Sequence, residues 1–184
     1  LKLVQYLLSL ETHNAPNINL TDQHNWAITY ACSSGNLKLV QYLLSLETHN
    51  APNIDLTDKE NWAIIRVCQN GNLKLVQYLL SLETHNAPNI DLTDKRVIAS
   101  ACQSSNLELV QYLFDLQSNT GSNAENIQIN KNILNESEPE HWILFIEYGK
   151  ITFEEIKEYI QTDCAEFNKF LRLIKQKTKK SVNK

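Results

Sequence analysis

Methionine is absent from the 184 residues, and glycine and proline occur only four times each. So few turn-forming residues disfavour an all-β chain of short strands and tight turns. With no initiator, and with Leu1 lying inside an apolar periodic segment, the chain reads as a fragment of a longer polypeptide or a trimmed one. No apolar run approaches the ~18 residues that a membrane-spanning helix needs. No basic start followed by an apolar core and a small-residue cleavage site is visible, so secretion is not expected. An excess of positive charge is also lacking. Lys+Arg is 17 against 21 Asp+Glu, a formal net charge of -4, which argues against a dedicated nucleic-acid binder. There is no Walker loop, no G-x-G-x-x-G, no H-E-x-x-H and no G-x-S-x-G. The chain is therefore expected to be no enzyme, with no catalytic residues, no cofactor, no metal and no small-molecule substrate. What is present, 42% hydrophobic and 21% charged residues, lies close to ordinary globular values.

The four cysteines, Cys32, Cys68, Cys102 and Cys164, form no C-x-x-C pair. The first three recur at spacings of 36 and 34. They read as small buried hydrophobes in a reducing, intracellular and cytoplasmic setting. His13, His49 and His85 also recur, about one repeat apart, which is too far to converge on one metal. Hydrogen bonding within their own connector is the expected role.

Those spacings belong to an internal repeat. LKLVQYLLSLETHNAPNINLTD at 1–22 returns at 37–58 and 73–94, changed only where Asn19 faces Asp55 and Asp91. A diverged start, LELVQYLFDL, follows at 107–116. The period is 36 residues, falling to 34 in the last unit. Within a unit, Leu39, Val40, Leu43 and Leu44 fall on one side of a predicted helix, while Lys38, Gln41 and Ser45 face away. WAIIRVC (62–68) is a shorter segment with helical spacing through Ile64, Val67 and Cys68. Gly71-Asn72 between the two supplies the positive φ of a tight inter-helix turn. The connector holds Pro52 with several Asn and Asp residues, and Ile54-Asp55-Leu56-Thr57 alternates like a short extended arm. One such helix pair cannot bury its own apolar stripe. Stacking against a neighbour does so, and the expected architecture is an all-α solenoid.

The unit resembles an ankyrin repeat. The family's G-H turn appears as Gly35-Asn36 and Gly71-Asn72. Its I-V-x-x-L-L stripe appears as Leu39-Val40-x-x-Leu43-Leu44 and Leu75-Val76-x-x-Leu79-Leu80. Its A-A pair appears as Ala31-Cys32, Val67-Cys68 and Ala101-Cys102. The T-P-L start is replaced by Trp26-Ala27-Ile28 and Trp62-Ala63-Ile64, so each first helix should begin differently. The N-W-A-I start and Y-L-L-S-L helix end are similar to ankyrin arrays of giant viruses and of microbes living in amoebae; such an origin implies action inside a host cell. The period exceeds the family's usual length of about 33, and the excess lies in the connector. In the last unit Ser105 replaces the turn glycine and Arg96 stands where Trp stood, as at a fading end. The resemblance covers 1–118, with units starting near residues 23, 59 and 95 after a truncated first unit.

The copies differ mainly in the connector tip and inner helix. Tyr30 faces Arg66 and Ser100, and Ser33-Ser34 faces Gln69-Asn70 and Gln103-Ser104. A shared scaffold that varies on one surface suggests recognition. By resemblance, the family's contact positions fall on Asp22, Gln23, Asn25, Ser33 and Ser34, then on Asp58, Lys59, Asn61, Gln69 and Asn70. Lys95, Gln103 and Ser104 follow in the last unit, with Tyr30 and Arg66 added from the variable positions. Trp26 and Trp62 are expected to pack between units, with contact anchors as the alternative, since tryptophan is enriched at binding hot spots.

After Leu116 the pattern changes. Residues 119–136 read as a polar linker, and 137–184 as a helical cap or small C-terminal module with a basic tail. Three capping boxes are predicted there, Ser137-x-x-Glu140, Thr152-x-x-Glu155 and Asp163-x-x-Glu166. The expected function is a monomeric, non-enzymatic protein-interaction scaffold that holds an unknown partner protein on its concave face and connector tips. The alternatives are an adaptor whose C-terminal helices recruit machinery such as a ubiquitin ligase, or the targeting module of a larger enzyme.

Overall fold

The computed structural model describes residues 2–9, 22–46, 54, 56, 58–82, 92, 94–119, 129–160 and 164–182. The chain divides into two compact halves, Leu1–Asp91 and Leu92–Lys184. Among the described residues all regular structure is helical, and the fold is all-α.

The N-terminal half contains α1 (Lys2–Ser9), α2 (Asp22–Ser33), α3 (Leu37–Ser45), α4 (Asp58–Gln69) and α5 (Leu73–Leu80). Helix α2 packs on both α3 and α4, and α4 packs on α5. Two helix-turn-helix pairs therefore stand side by side, joined through their inner helices. The apolar stripes fill the space between them. Val40, Leu43, Leu75, Val76 and Leu79 are buried on the outer helices, and Ile28, Ile64, Val67 and Cys68 on the inner ones. Lys38, Gln41 and Ser45 are exposed, as their register predicts. Ile54 and Leu56, at alternate positions of the connector, are both buried. His13, His49, His85 and most of the connectors lie outside the described residues.

Each inter-helix turn uses glycine and asparagine for separate tasks. Gly35 and Gly71 adopt φ of 66° and 65°, which an L side chain resists. The side chains of Asn36 and Asn72 then cap the next helix, each accepting from a backbone amide, Leu39 N and Leu75 N, at 3.1 Å. Asn72 Nδ2 also donates to the Gly35 carbonyl of the preceding pair at 3.0 Å. A Cβ at position 35 would come within 2.9 Å of that nitrogen, so both φ and space require glycine there. Asn72→Ala removes a cap and a cross-repeat bond, each worth about 1 kcal/mol, and is expected to destabilise this half by about 2 kcal/mol in urea titrations. Asn72→Ser keeps the cap and should lose about half of that.

The inner helices do begin differently from a threonine-proline start. Asn25 and Asn61, each the fourth residue of its helix, have φ of 60° and 67° and are buried. Asparagine enters this left-handed region more readily than other non-glycine residues.

The C-terminal half contains α6 (Lys95–Gln103), α7 (Leu107–Asn119), α8 (Lys131–Asn135), α9 (Pro139–Glu147), α10 (Phe153–Tyr159) and α11 (Ala165–Val182). Helix α6 packs on α7, α7 on α9, α9 on α11, and α8 on α10. The last repeat pair thus shares a compact half with the segment read as a helical cap or small C-terminal module. Among the described residues, Lys131–Asn135 inside the stretch read as a polar linker is helical. Asn130 caps it by accepting from Asn132 N and Ile133 N at 3.0 and 3.1 Å.

Of the predicted capping boxes, Thr152 and Glu155 form one. Thr152 Oγ1 accepts from Glu155 N at 3.2 Å, and Glu155 Oε2 accepts from Thr152 N at 2.8 Å. The Ser137 box does not form. Pro139 opens that helix after the N-cap Glu138, because proline fits a first helical turn. Ser137 Oγ instead donates to Leu134 O and accepts from Trp142 Nε1, both at 3.1 Å. Asp163 lies outside the described residues, and the Phe167 amide donates to Cys164 Sγ at 3.4 Å.

Ser105 keeps the left-handed turn of its glycine counterparts, with φ of 55°. Relieving that strain predicts a gain of about 1 kcal/mol for Ser105→Gly, read as a raised denaturation midpoint.

Candidate groove on the inner helices

Helices α2 and α4 each bury one face and leave the other open. On α2, Trp26, Thr29, Tyr30 and Ser33 follow the i, i+3, i+4, i+7 spacing of a single face. On α4, Trp62 and Arg66 occupy the registers of Trp26 and Tyr30. The packing of α2 on α4 brings these side chains around one groove of about 450 Å³. Trp26, Tyr30 and Trp62 are 43%, 63% and 39% exposed. Ring contacts order them. Trp26 and Tyr30 meet edge to face at 5.6 Å between centroids. The Arg66 guanidinium lies 4.6 Å from the Trp62 ring centroid. Its Nη1 donates to Gln69 Oε1 at 2.8 Å, and Asn70 Nδ2 donates to the Ser33 carbonyl at 2.5 Å, tying the two inner helices together at the groove's end.

Of the residues expected to contact a partner, Tyr30, Ser33 and Arg66 line the groove. Gln69 and Asn70 are exposed beside it. Ser34 is exposed, with its hydroxyl turned back to the Ala31 carbonyl at 2.8 Å. Asn25 and Asn61 are only 7% exposed, in a left-handed backbone conformation, and so lie in the interior and not on the surface. The side chains of Asp22, Gln23, Asp58 and Lys59 lie outside the described residues. In the C-terminal half, Lys95 is exposed, Gln103 Nε2 donates to Glu136 Oε2 at 2.9 Å, and the Ser104 hydroxyl donates to Ala101 O at 2.6 Å.

Thr29 is the groove residue that sequence reasoning does not single out, and Trp26 and Trp62 stand there as contact anchors only behind a packing role. The two indoles, expected between units, present much of their surface to solvent. The signal was the register itself, Trp-x-x-x-Tyr in one copy and Trp-x-x-x-Arg in the next, on the side opposite Ile28 and Ile64.

The thiols stand on the buried side. Cys32 and Cys68 are free and fully buried, and loss of hydration pushes both up to about 12. Thiols so protonated are poor nucleophiles. Among the described residues no group of His, Cys, Asp and Glu could hold a metal ion, and no helix is long and apolar enough to cross a membrane.

Paired helices that stack inner helix on inner helix, with turn glycines in register, define a helical-repeat solenoid. Residues 28–80, from within α2 to the end of α5, match the family model for ankyrin repeats in many copies. Residues 28–80 thus carry ankyrin repeats, a family that generally mediates protein–protein interaction. No curated protein and no solved structure matches the chain.

Proposed function

We propose that the chain is a non-enzymatic scaffold that binds a partner protein through the groove face of α2 and α4. One observation carries this reading. Trp26, Tyr30 and Trp62 line one face with Arg66 and stay exposed, although the same helices bury Ile28, Ala31, Cys32, Ile64, Val67 and Cys68. Tryptophan, tyrosine and arginine are the residue types that dominate binding energy at interfaces. Exposed rings held in contact with one another also lose little freedom when a partner arrives. Asn25 and Asn61 fall outside this proposed surface, and the connector tips lie beyond the described residues.

The helices from 137 onward are proposed as the cap of the array. Phe145 and Tyr148 are directed at Phe114 of the last outer helix, which favours a cap over an adaptor arm with a free aromatic face. A monomer acting in the cytoplasm, without a nucleic-acid ligand, completes the proposal.

The test compares immobilised full chain with its Tyr30→Ala and Arg66→Ala variants as baits. A partner held by the parent chain and lost by at least about tenfold in both variants, with unchanged melting, is the expected outcome. Equal capture by all three would reject the groove face.

A further inference from the structure

The groove's chemistry narrows what it can hold. Its walls are indole and phenol rings, and among the described residues that line it Arg66 is the one charged side chain. A cationic ligand, such as a methylated lysine, would need an open ring face. The Arg66 guanidinium already lies 4.6 Å from the Trp62 centroid, so a second cation there meets both an occupied face and a like charge. Single-stranded nucleic acid could stack its bases on such rings, but it also needs a basic track for its phosphates. One arginine in a chain of formal net charge -4 does not supply that.

A carboxylate suits the site better. A guanidinium offers five N–H donors in a fork that matches a carboxylate, and the bond to Gln69 takes one of them. The rings beside it favour proline. The C–H groups of pyrrolidine rings pack on aromatic walls, and a polyproline segment is already extended and loses little entropy on docking. We infer that the groove of α2 and α4 takes an extended, proline-rich peptide segment whose glutamate or aspartate pairs with Arg66. This rests on the protein-binding reading above and names the chemistry of the partner.

Short blocked peptides built from Pro-Pro-Glu-Pro-Pro test it against the full chain by tryptophan fluorescence and calorimetry. The comparison set replaces Glu with Gln or with Lys, or Pro with Ala, and adds oligothymidylate. The glutamate-proline peptide is expected to bind about tenfold tighter than its glutamine and alanine counterparts, with the lysine peptide weakest. Arg66→Gln should erase the difference between the Glu and Gln peptides. Tyr30→Ala should weaken both, and its 63% exposure makes it safer for folding than Trp62→Ala. Equal binding of the Glu and Gln peptides, stronger binding of the lysine peptide or of oligothymidylate, or no binding by the glutamate-proline peptide would each overturn the inference. If a captured partner still depends on Tyr30 and Arg66 while the glutamate-proline peptide fails, the face stands and the peptide chemistry falls. If that peptide binds all variants equally, both fall.

Discussion

Replacing Leu75 by alanine should lower the unfolding free energy by about 2–5 kcal/mol, whereas Leu3→Ala should change it by less than about 0.5 kcal/mol. The two leucines hold the same place in the same local sequence, since LKLVQYLLSL occurs at both 1–10 and 73–82. Intrinsic helix propensity and local side-chain pairs are therefore matched. Only surroundings differ. Leu3 is 68% exposed on α1, while Leu75 on α5 is fully buried. Truncating Leu75 removes methyl groups from a close-packed interior and leaves a cavity; truncating Leu3 removes surface already in water. Denaturant titration of both variants, with the midpoint and slope compared, checks the prediction. Equal effects would mean that local sequence and not stacking sets the stability.

Phe114→Ala is expected to cost about 3–5 kcal/mol in the C-terminal half. Phe114 belongs to the last outer helix by repeat register and is 1% exposed. Its ring meets Phe145 edge to face at 6.0 Å and Tyr148 at 5.1 Å, both contributed by or just after α9. The Tyr148 hydroxyl donates to the Asp115 carboxylate beside it. Helix α9 then passes the contact on, with Trp142 against Phe170 of α11 at 5.4 Å. The surface ion pair of Lys169 with Glu140, at 3.0 Å, adds little, as exposed pairs generally contribute at most about 1 kcal/mol. Phe114→Ala should therefore lower the protection of amides in both α7 and α9 in hydrogen exchange. Loss confined to α7 would show that the C-terminal helices fold without the last repeat.

Much of the fold was legible because the same physical problem is solved in every copy. Leu39, Val40, Leu43 and Leu44 announced an outer helix, Gly71-Asn72 announced a turn, and Cys32, Cys68 and Cys102 marked buried positions. The site was less legible. Tyr30 and Arg66 stood out because they differ between the two full units, whereas Trp26 and Trp62 are identical there and hydrophobic, which is equally the mark of a packing residue. Only the placement of Ile28 and Ile64 on the buried side leaves the indoles facing outward. Asn25 and Asn61 were placed among the contact positions by resemblance, and nothing in a lone asparagine reveals a buried, left-handed backbone. The Ser137 box failed because Pro139 and Glu138 offered a competing start, and because the buried Trp142 indole needed an acceptor.

The contact between Gly35 and Asn72 tests the stacking of neighbouring pairs most directly. The two residues are 37 apart in sequence and joined by a 3.0 Å bond from Asn72 Nδ2 to the Gly35 carbonyl. With only four glycines in the chain, the Gly35 α-protons are readily assigned by NMR. Stacked repeats predict a nuclear Overhauser cross-peak between those α-protons and the Asn72 side-chain amide, with that amide slow to exchange. An Asn72 amide that exchanges freely and shows cross-peaks only to its own helix would contradict it.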